Sequence, residues 1–225
     1  MRRIVAGLCL LAATCGAKAS LLDTLFHNGH TYQIHGGTAA TNWSAARAVA
    51  GGLTFGGATG YLARIDNLAE NSAIFARMLA VSNQLNQVAG DGGGVEYVWI
   101  GANDLGTEGT WLWSVDNAQF WQGDAAGSVV GGLYNNWGNP AGTQFEPDDF
   151  NASQDAAGIA LRGWPAGMGI LGLASQWNDV NVANNLPYVV EFDALPEPAT
   201  LLLLAPALLL LSRRLRRRAD EGTPG

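Results

Sequence analysis

The stretch from Glu146 to Asp155 restricts the possible folds of this 225-residue chain more than any other part of it. It places four carboxylates and several amide and hydroxyl oxygens within ten residues that also contain a proline. Burying an unpaired carboxylate is costly, so the stretch either faces water or holds a cation. Oxygen ligands in a loop suit calcium, and the lack of thiols and imidazoles here argues against zinc.

Composition and charge limit the function further. The chain is 48% apolar and 14% charged, which predicts one globular domain with a single core. Between Ser20 and Ala194 there are four arginines and sixteen acidic residues, a net charge of −12. A body this acidic repels phosphate backbones and attracts divalent cations, so we expect no nucleic-acid partner.

The first nineteen residues have the three regions of a secretory signal peptide. Arg2-Arg3 precedes an apolar run from Ile4 to Ala13, and Ala17-Lys18-Ala19 provides a cleavage site. We therefore predict a signal peptide over residues 1–19, with a buried N-terminal helix as the alternative. Both cysteines, Cys9 and Cys15, lie within it, so the exported protein would have no disulfides.

Residues 194–225 show an ordered set of sorting features. Pro196-Glu197-Pro198 is followed by an apolar segment from Ala199 to Leu211 and an arginine cluster from Arg213 to Arg218. The apolar segment is shorter than the ~20 residues of a comfortable transmembrane helix. This order resembles the PEP-CTERM sorting signal, which implies an exosortase partner, transient membrane anchoring, and release to the cell surface or extracellular matrix. A plain C-terminal membrane anchor is the alternative.

Periodicity and turn residues predict an α+β domain. One helix is predicted from a Thr41 cap to Gly51-Gly52, and a second from an Asp66 or Asn67 cap to about Val81, with an apolar stripe. The stripe consists of Leu68, Ile74, Phe75, Met78 and Leu79. Strands are predicted at Tyr32 to Ile34, Tyr61 to Ile65, Tyr97 to Gly101, Trp111 to Ser114, Ala157 to Leu161, Ser175 to Asp179 and Tyr188 to Phe192. Residues 117–139 are predicted to be a long functional loop.

Eight short motifs, taken in chain order, resemble the C-type lectin-like domain. They are Asn28-Gly29-His30-Thr31-Tyr32, Trp43-Ser44-Ala45-Ala46, Leu62-Ala63-Arg64-Ile65, Trp99-Ile100-Gly101, Glu108-Gly109-Thr110-Trp111, Glu146-Pro147-Asp148, Trp177-Asn178-Asp179 and Val190-Glu191-Phe192. The resemblance implies two helices flanking small antiparallel sheets, with a long calcium-binding loop region. The resemblance covers roughly Asn28 to Phe192, and we assign the domain to residues 20–193.

The same resemblance implies the principal calcium ligands. Glu146 and Asp148 match the family's ligands on either side of a cis proline, and Asn178 and Asp179 match its Trp-Asn-Asp pair. Gln154 stands where sugar-binding members have a glutamate, so an amide oxygen replaces a carboxylate. The lost charge should weaken binding.

An auxiliary calcium site is also implied by the resemblance. Its matching residues are Asp104, Glu108, Asp149 and Asp155. Ala156 and Val190 stand where the family has half-cystines, so core packing and bound calcium must hold the loop region instead.

These residues lead to a functional hypothesis with one competitor. We expect calcium-dependent carbohydrate binding, with Glu146, Asp148, Asn178 and Asp179 contacting the sugar as well as the ion. The alternative is a lectin-fold protein that binds protein or serves as a structural surface module. The aromatic side chains of Trp121, Tyr134 and Trp137 either stack on a sugar or belong to the core. Metal-bound carboxylates are poor general acids and no nucleophile motif is present, so we do not expect an enzyme.

Overall fold

A hairpin opens the part of the chain that the computed structural model describes, residues 20–37 and 40–194. Strand β1 (Ser20–His27) pairs antiparallel with β2 (His30–Gly36). Asn28 and Gly29 form the turn with φ angles of 48° and 87°, the left-handed backbone that Asn-Gly adopts readily in hairpins. The predicted signal peptide lies outside the described residues, as does the sorting tail beyond Ala194.

The first helix begins one residue later than predicted. Helix α1 (Trp43–Gly52) is capped by Asn42, whose side chain accepts a hydrogen bond from the backbone N–H of Ala45 at 2.9 Å. Thr41, the predicted cap, instead exchanges backbone hydrogen bonds with Leu186. The tertiary contact therefore fixes Thr41 outside the helix.

The second helix, α2 (Leu68–Ala80), starts at the predicted cap Asn67, which accepts from the backbone N–H of Glu70. Ile74 and Met78 are buried, but Leu68 and Leu79 are 63% and 48% exposed. At about 100° per residue both leucines lie some 80–100° around the helix from Met78. Leu68 and Leu79 therefore lie at the two edges of the apolar stripe, and only the residues at its centre pack on the core.

The remaining strands complete the α+β architecture that the sequence predicts. They are β3 (Thr54–Phe55), β4 (Ala58–Leu62), β5 (Val88–Ala89), β6 (Val95–Asn103), β7 (Thr110–Trp113), β8 (Gln119–Gln122), β9 (Ser128–Val129), β10 (Ala156–Ala160), β11 (Trp177–Val180) and β12 (Tyr188–Phe192). The main sheet has the order β1-β2-β12-β6-β7-β8-β9, and β10 joins β11 to β6. Within the described residues, no helix is long and apolar enough to cross a membrane.

The predicted loop over residues 117–139 was wrong in part, because it contains β8 and β9. Strand β8 pairs with β7 and places Phe120 in the core. Trp121 and Trp137 are buried too, and the ring of Tyr134 packs edge-on against Trp177. The structure therefore assigns these three aromatic side chains to the core rather than to a sugar surface.

The core surrounds the two positions where the resemblance implies half-cystines. Ala156 and Val190 are both fully buried and belong to the same hydrophobic cluster. Nearby, Trp177 anchors β11 in an aromatic cluster with Trp113 and Trp137. Its indole N–H donates to Oδ1 of Asn71 in α2 at 2.8 Å. Strand β11, which carries Asn178 and Asp179, is thus held rigidly in the core.

Candidate metal centre

The structure brings together three of the predicted calcium ligands. One carboxylate oxygen each of Glu146, Asp148 and Asp179 lies within 4.8 Å of the others. Asp179 comes from β11, and the other two come from the loop before β10. The peptide bond between Glu146 and Pro147 is cis, as predicted. Two separated parts of the sequence therefore meet at one point.

Backbone hydrogen bonds hold the loop against the strand. The fully buried Asp179 accepts from the backbone N–H of Asp148 at 3.2 Å and from that of Asp149 at 2.8 Å. When the Asp179 carboxylate is ionised, both bonds have a charged acceptor, which is the stronger class of hydrogen bond. The Asp179 carboxylate thus positions the loop as well as facing the other two acids.

Two buried oxygens at this point have no hydrogen-bond partner among the described residues: Oε2 of Glu146 and Oδ1 of Asn178. The other oxygen of Glu146 accepts from the indole N–H of Trp164 at 2.8 Å, and Nδ2 of Asn178 donates to the hydroxyl of Tyr97 at 3.0 Å. Unsatisfied buried oxygens are costly. A hard cation among these oxygens would satisfy both, so the residues present fit calcium.

The electrostatics agree with a cation. Burial, together with repulsion from Asp179, raises the pKa of Glu146 well above its usual range. Burial also raises the pKa of Asp179, with the Asp148 carboxylate adding to the effect. Two carboxylates that repel each other out of water need a counter-charge to stay ionised.

Gln154 lies at the edge of the same site and is 1% exposed. Its Oε1 accepts from the backbone N–H of Phe150 at 2.7 Å, and the same N–H donates to Oδ1 of Asp148 at 3.1 Å. The amide oxygen of Gln154 and the carboxylate of Asp148 are therefore neighbours. The role of Gln154 as a weaker, uncharged ligand stays a prediction.

A cleft of about 240 Å³ opens beside these oxygens. The loop residues Gly90 to Gly93 line the cleft, and so does Phe150, which is 52% exposed. Its other lining residues are Glu146, Asp148, Gln154, Trp164, Pro165, Leu171 and Asn178.

Three of the four residues predicted for the auxiliary site lie close together. Asp104, Glu108 and Asp155 place carboxylate oxygens within 4.8 Å of one another. Burial raises the pKa of Asp104 to about 7, and its Oδ1 is buried with no partner in the described chain. Asp149 lies outside this group and accepts from the backbone N–H of Gln154 at 3.0 Å, so its role as a ligand stays a prediction.

Sequence reasoning missed two features. Asp91 lines the cleft from the Gly90-Asp91-Gly92-Gly93-Gly94 segment, which the sequence analysis did not assign to the site. His30 lies 2.8 Å from Glu191 and 3.2 Å from Asp193, at the far end of β12. An aspartate flanked by glycines signals a close approach of backbone, whereas the histidine contact depends on strand pairing and has no local signal.

Comparisons with known proteins test the fold. The C-type lectin CEL-I from Cucumaria echinata superimposes with a TM-score of 0.51 at 20% identity, covering 77% of this chain and 96% of CEL-I. An EPNH mutant of CEL-I gives a TM-score of 0.52 at 19% identity, with the same coverage. CEL-IV gives 0.50 at 20% identity, covering 78% of this chain and 94% of its own. The chain has a C-type lectin-like fold.

Comparison by sequence gives less information about the chain than comparison by structure. No family model matches the chain. Halomucin from Haloquadratum walsbyi is 30% identical over 112 residues, which is 48% of this chain. The match spans 1% of the length of halomucin. The fold predicted from the ordered motifs is therefore confirmed by structure, while the function needs its own argument.

Proposed function

We propose that the protein binds carbohydrate through a calcium ion held by Glu146, Asp148, Asn178 and Asp179. The observation that carries the proposal is a pair of buried oxygens, on Glu146 and Asn178, that have no partner in residues 20–37 and 40–194 and lie beside the three-carboxylate group. Gln154 adds an amide oxygen at the edge. The lectin folds that superimpose on the chain support a binding rather than a catalytic role.

The exposure of the ligands suits an ion that is shared with an outside partner. Glu146, Asn178 and Asp179 are buried, but Asp148 is exposed to solvent. Calcium takes about 6–8 oxygens, so a bound ion would have positions left for the hydroxyls of a sugar. The Asp148 carboxylate would accept a hydrogen bond from one of those hydroxyls.

The volume of the cleft suggests how many sugar residues it can hold. Pockets that enclose drug-sized ligands measure roughly 300–1,000 Å³, and this cleft is smaller. It suits one sugar residue, with the ring of Phe150 available to its apolar face. A single site of this kind would bind at about 1 mM, and many copies on one surface would raise the avidity.

Export is part of the same proposal. The signal peptide over residues 1–19 and the PEP-CTERM tail would take the protein through the inner membrane and give it to an exosortase. The lectin domain would then act at the cell surface or in the extracellular matrix, where exopolysaccharide and glycans occur.

A lectin-fold module that binds no sugar is the second candidate. Gln154 favours it, because an amide there leaves the site with one carboxylate fewer than the family's sugar-binding pattern. In that case calcium would serve only to hold the loop region on β11. We do not propose catalysis, since metal-bound carboxylates stay ionised and cannot donate a proton.

A glycan array separates the two candidates. We expect calcium-dependent binding by the wild type that is lost with a chelator and in Asp148→Asn, which keeps an acceptor for the N–H of Phe150. Asp124→Asn makes the same change at an exposed site and should bind like the wild type. If calcium raises the melting temperature but no glycan is bound, the structural module is the correct function.

A further inference from the structure

We infer that the glycine-rich loop, residues 90–94, orients the two amide side chains of the candidate metal centre so that their oxygens face the cation. The inference rests on the proposed function, because it concerns the ligands of the same ion. It assigns roles to Asp91 and Tyr97 that the ligand pattern does not include.

An amide ligand has a requirement that a carboxylate does not have. Either oxygen of a carboxylate can bind a cation, whereas an amide binds only through its oxygen and carries an NH₂ group at its other end. A neighbouring hydrogen-bond acceptor must hold that NH₂ group away from the ion. Outer-shell partners of this kind commonly change metal affinity by 10–100-fold.

Asp91 is that acceptor for Gln154. Nε2 of Gln154 donates to the backbone oxygen of Asp91 at 3.2 Å and to its Oδ2 at 3.3 Å. The Asp91 carboxylate also accepts from the backbone N–H of Asn181 and from Nδ2 of Asn184, each at 2.7 Å. Each of these hydrogen-bond partners is a donor, so the carboxylate acts only as an acceptor. The NH₂ group of Gln154 is thereby fixed toward Asp91 and its oxygen toward Asp148.

Gly92 does the same for Asn178 through Tyr97. The Tyr97 hydroxyl donates its hydrogen to the backbone oxygen of Gly92 at 2.6 Å, so it must accept from Nδ2 of Asn178. Because Nδ2 of Asn178 faces Tyr97, Oδ1 of Asn178 faces the candidate metal centre. A Cβ on Gly92 would lie 2.6 Å from Cγ1 of Val180 and 2.8 Å from the Tyr97 ring, so only glycine permits this approach.

The loop therefore explains how the site accepts glutamine at position 154. Because Asp91 accepts from the NH₂ group of Gln154, it determines that the oxygen of the amide, and not the NH₂ group, faces the ion. The same carboxylate would repel a glutamate at position 154, because Oδ2 of Asp91 lies 3.3 Å from the side-chain terminus. Residues 91 and 154 should then be coupled in their effect on calcium affinity.

A double-mutant cycle tests the coupling in the full chain, with calcium affinity measured by isothermal titration for Asp91→Asn, Gln154→Glu and the double variant. In the wild-type background, Asp91→Asn should weaken calcium binding by about tenfold or more, because the new NH₂ group faces only donors. In the Gln154→Glu background, the same change should strengthen binding, because the asparagine amide donates to the new carboxylate. Asp124→Asn serves as the control.

Two further measurements make the result decisive. Urea unfolding in chelator reports the purely structural effect of Asp91→Asn, and Tyr97→Phe should weaken calcium binding by releasing the Asn178 amide. Equal weakening by Asp91→Asn in the wild-type and Gln154→Glu backgrounds would overturn the inference and leave the proposed function standing. A wild type that binds no calcium would overturn both.

Discussion

Asp179 accepts a hydrogen bond from the backbone N–H of Asp149 over 2.8 Å, and this bond ties the acidic loop to β11. The other oxygen of the carboxylate accepts from Asp148. One side chain therefore builds the loop and faces the candidate cation. The two functions can be separated by experiment.

Asp179→Asn should lower calcium affinity by at least tenfold, about 1.4 kcal/mol. The amide loses the negative charge, and its NH₂ end cannot accept from one of the two backbone N–H groups. Isothermal titration measures the affinity, and unfolding in chelator measures how much the loop contact contributes. Unchanged calcium affinity would show that Asp179 is only a structural acceptor.

Asp104→Asn should remove the auxiliary ion without removing sugar binding. Asp104 accepts from the backbone N–H of Gly109 at 2.9 Å, and an asparagine oxygen can still do so. The group of Asp104, Glu108 and Asp155 would lose one negative charge, so the number of bound calcium ions should drop by one. Calcium stoichiometry and glycan binding are the two measurements. Loss of glycan binding at unchanged stoichiometry would contradict the separation of the sites.

Trp177→Phe should destabilise the fold by about 1–3 kcal/mol, because it leaves the buried Oδ1 of Asn71 without its indole donor. Urea unfolding in chelator measures this cost. Adding Asn71→Leu should restore part of the loss, since removing both partners is less costly than removing one. In the double variant, the backbone oxygen of Ser175 would still accept a hydrogen bond from the side chain of Asn136. A double variant less stable than the single one would contradict this.

Glu191→Gln should flatten the pH dependence of stability. Burial raises the pKa of Glu191 to about 8 from an ordinary 4.5, with Glu70 and Asp193 adding repulsion. The folded state then holds a proton that the unfolded state has lost, so the stability from this group falls as pH rises through that window. The slope is at most about 1.4 kcal/mol per pH unit.

The check for Glu191 is urea unfolding between pH 5 and pH 9 in saturating calcium, which keeps the metal ligands ionised. The wild-type curve should fall toward high pH relative to the variant. His30 contacts the same carboxylate at 2.8 Å in the wild type, so only the difference between the two curves is compared. Parallel curves would rule out the raised pKa.

The resemblance to the C-type lectin-like domain predicted that Glu146 and Asp148 would meet Asp179, because it matches two short motifs that lie far apart in the chain. Glu146 and Asp148 flank one proline, and Asn178 and Asp179 are adjacent on β11. The sequence did not predict the role of Asp91, because the orientation of an amide side chain depends on which loop packs against it. That information is tertiary.

The errors in the fold have the same origin. Strand β8 was missed because it has only four residues, lies between turn-forming residues at Asn117 and Gly123, and is stabilised by pairing with β7. The cap of α1 moved to Asn42 because Leu186, far along the chain, pairs with Thr41. Helix α2 and strand β12 were predicted well, because a local cap indicates the helix and a run of β-branched and aromatic residues indicates the strand.

A calcium titration of the full chain tests the central claim most directly, that Glu146, Asp148, Asn178 and Asp179 hold one cation. Isothermal titration should show calcium binding by the wild type and by Asp124→Asn with the same affinity. In Asp148→Asn the affinity should fall at least tenfold. A wild type that binds no calcium, or an Asp148→Asn variant that binds it as tightly, would contradict the account.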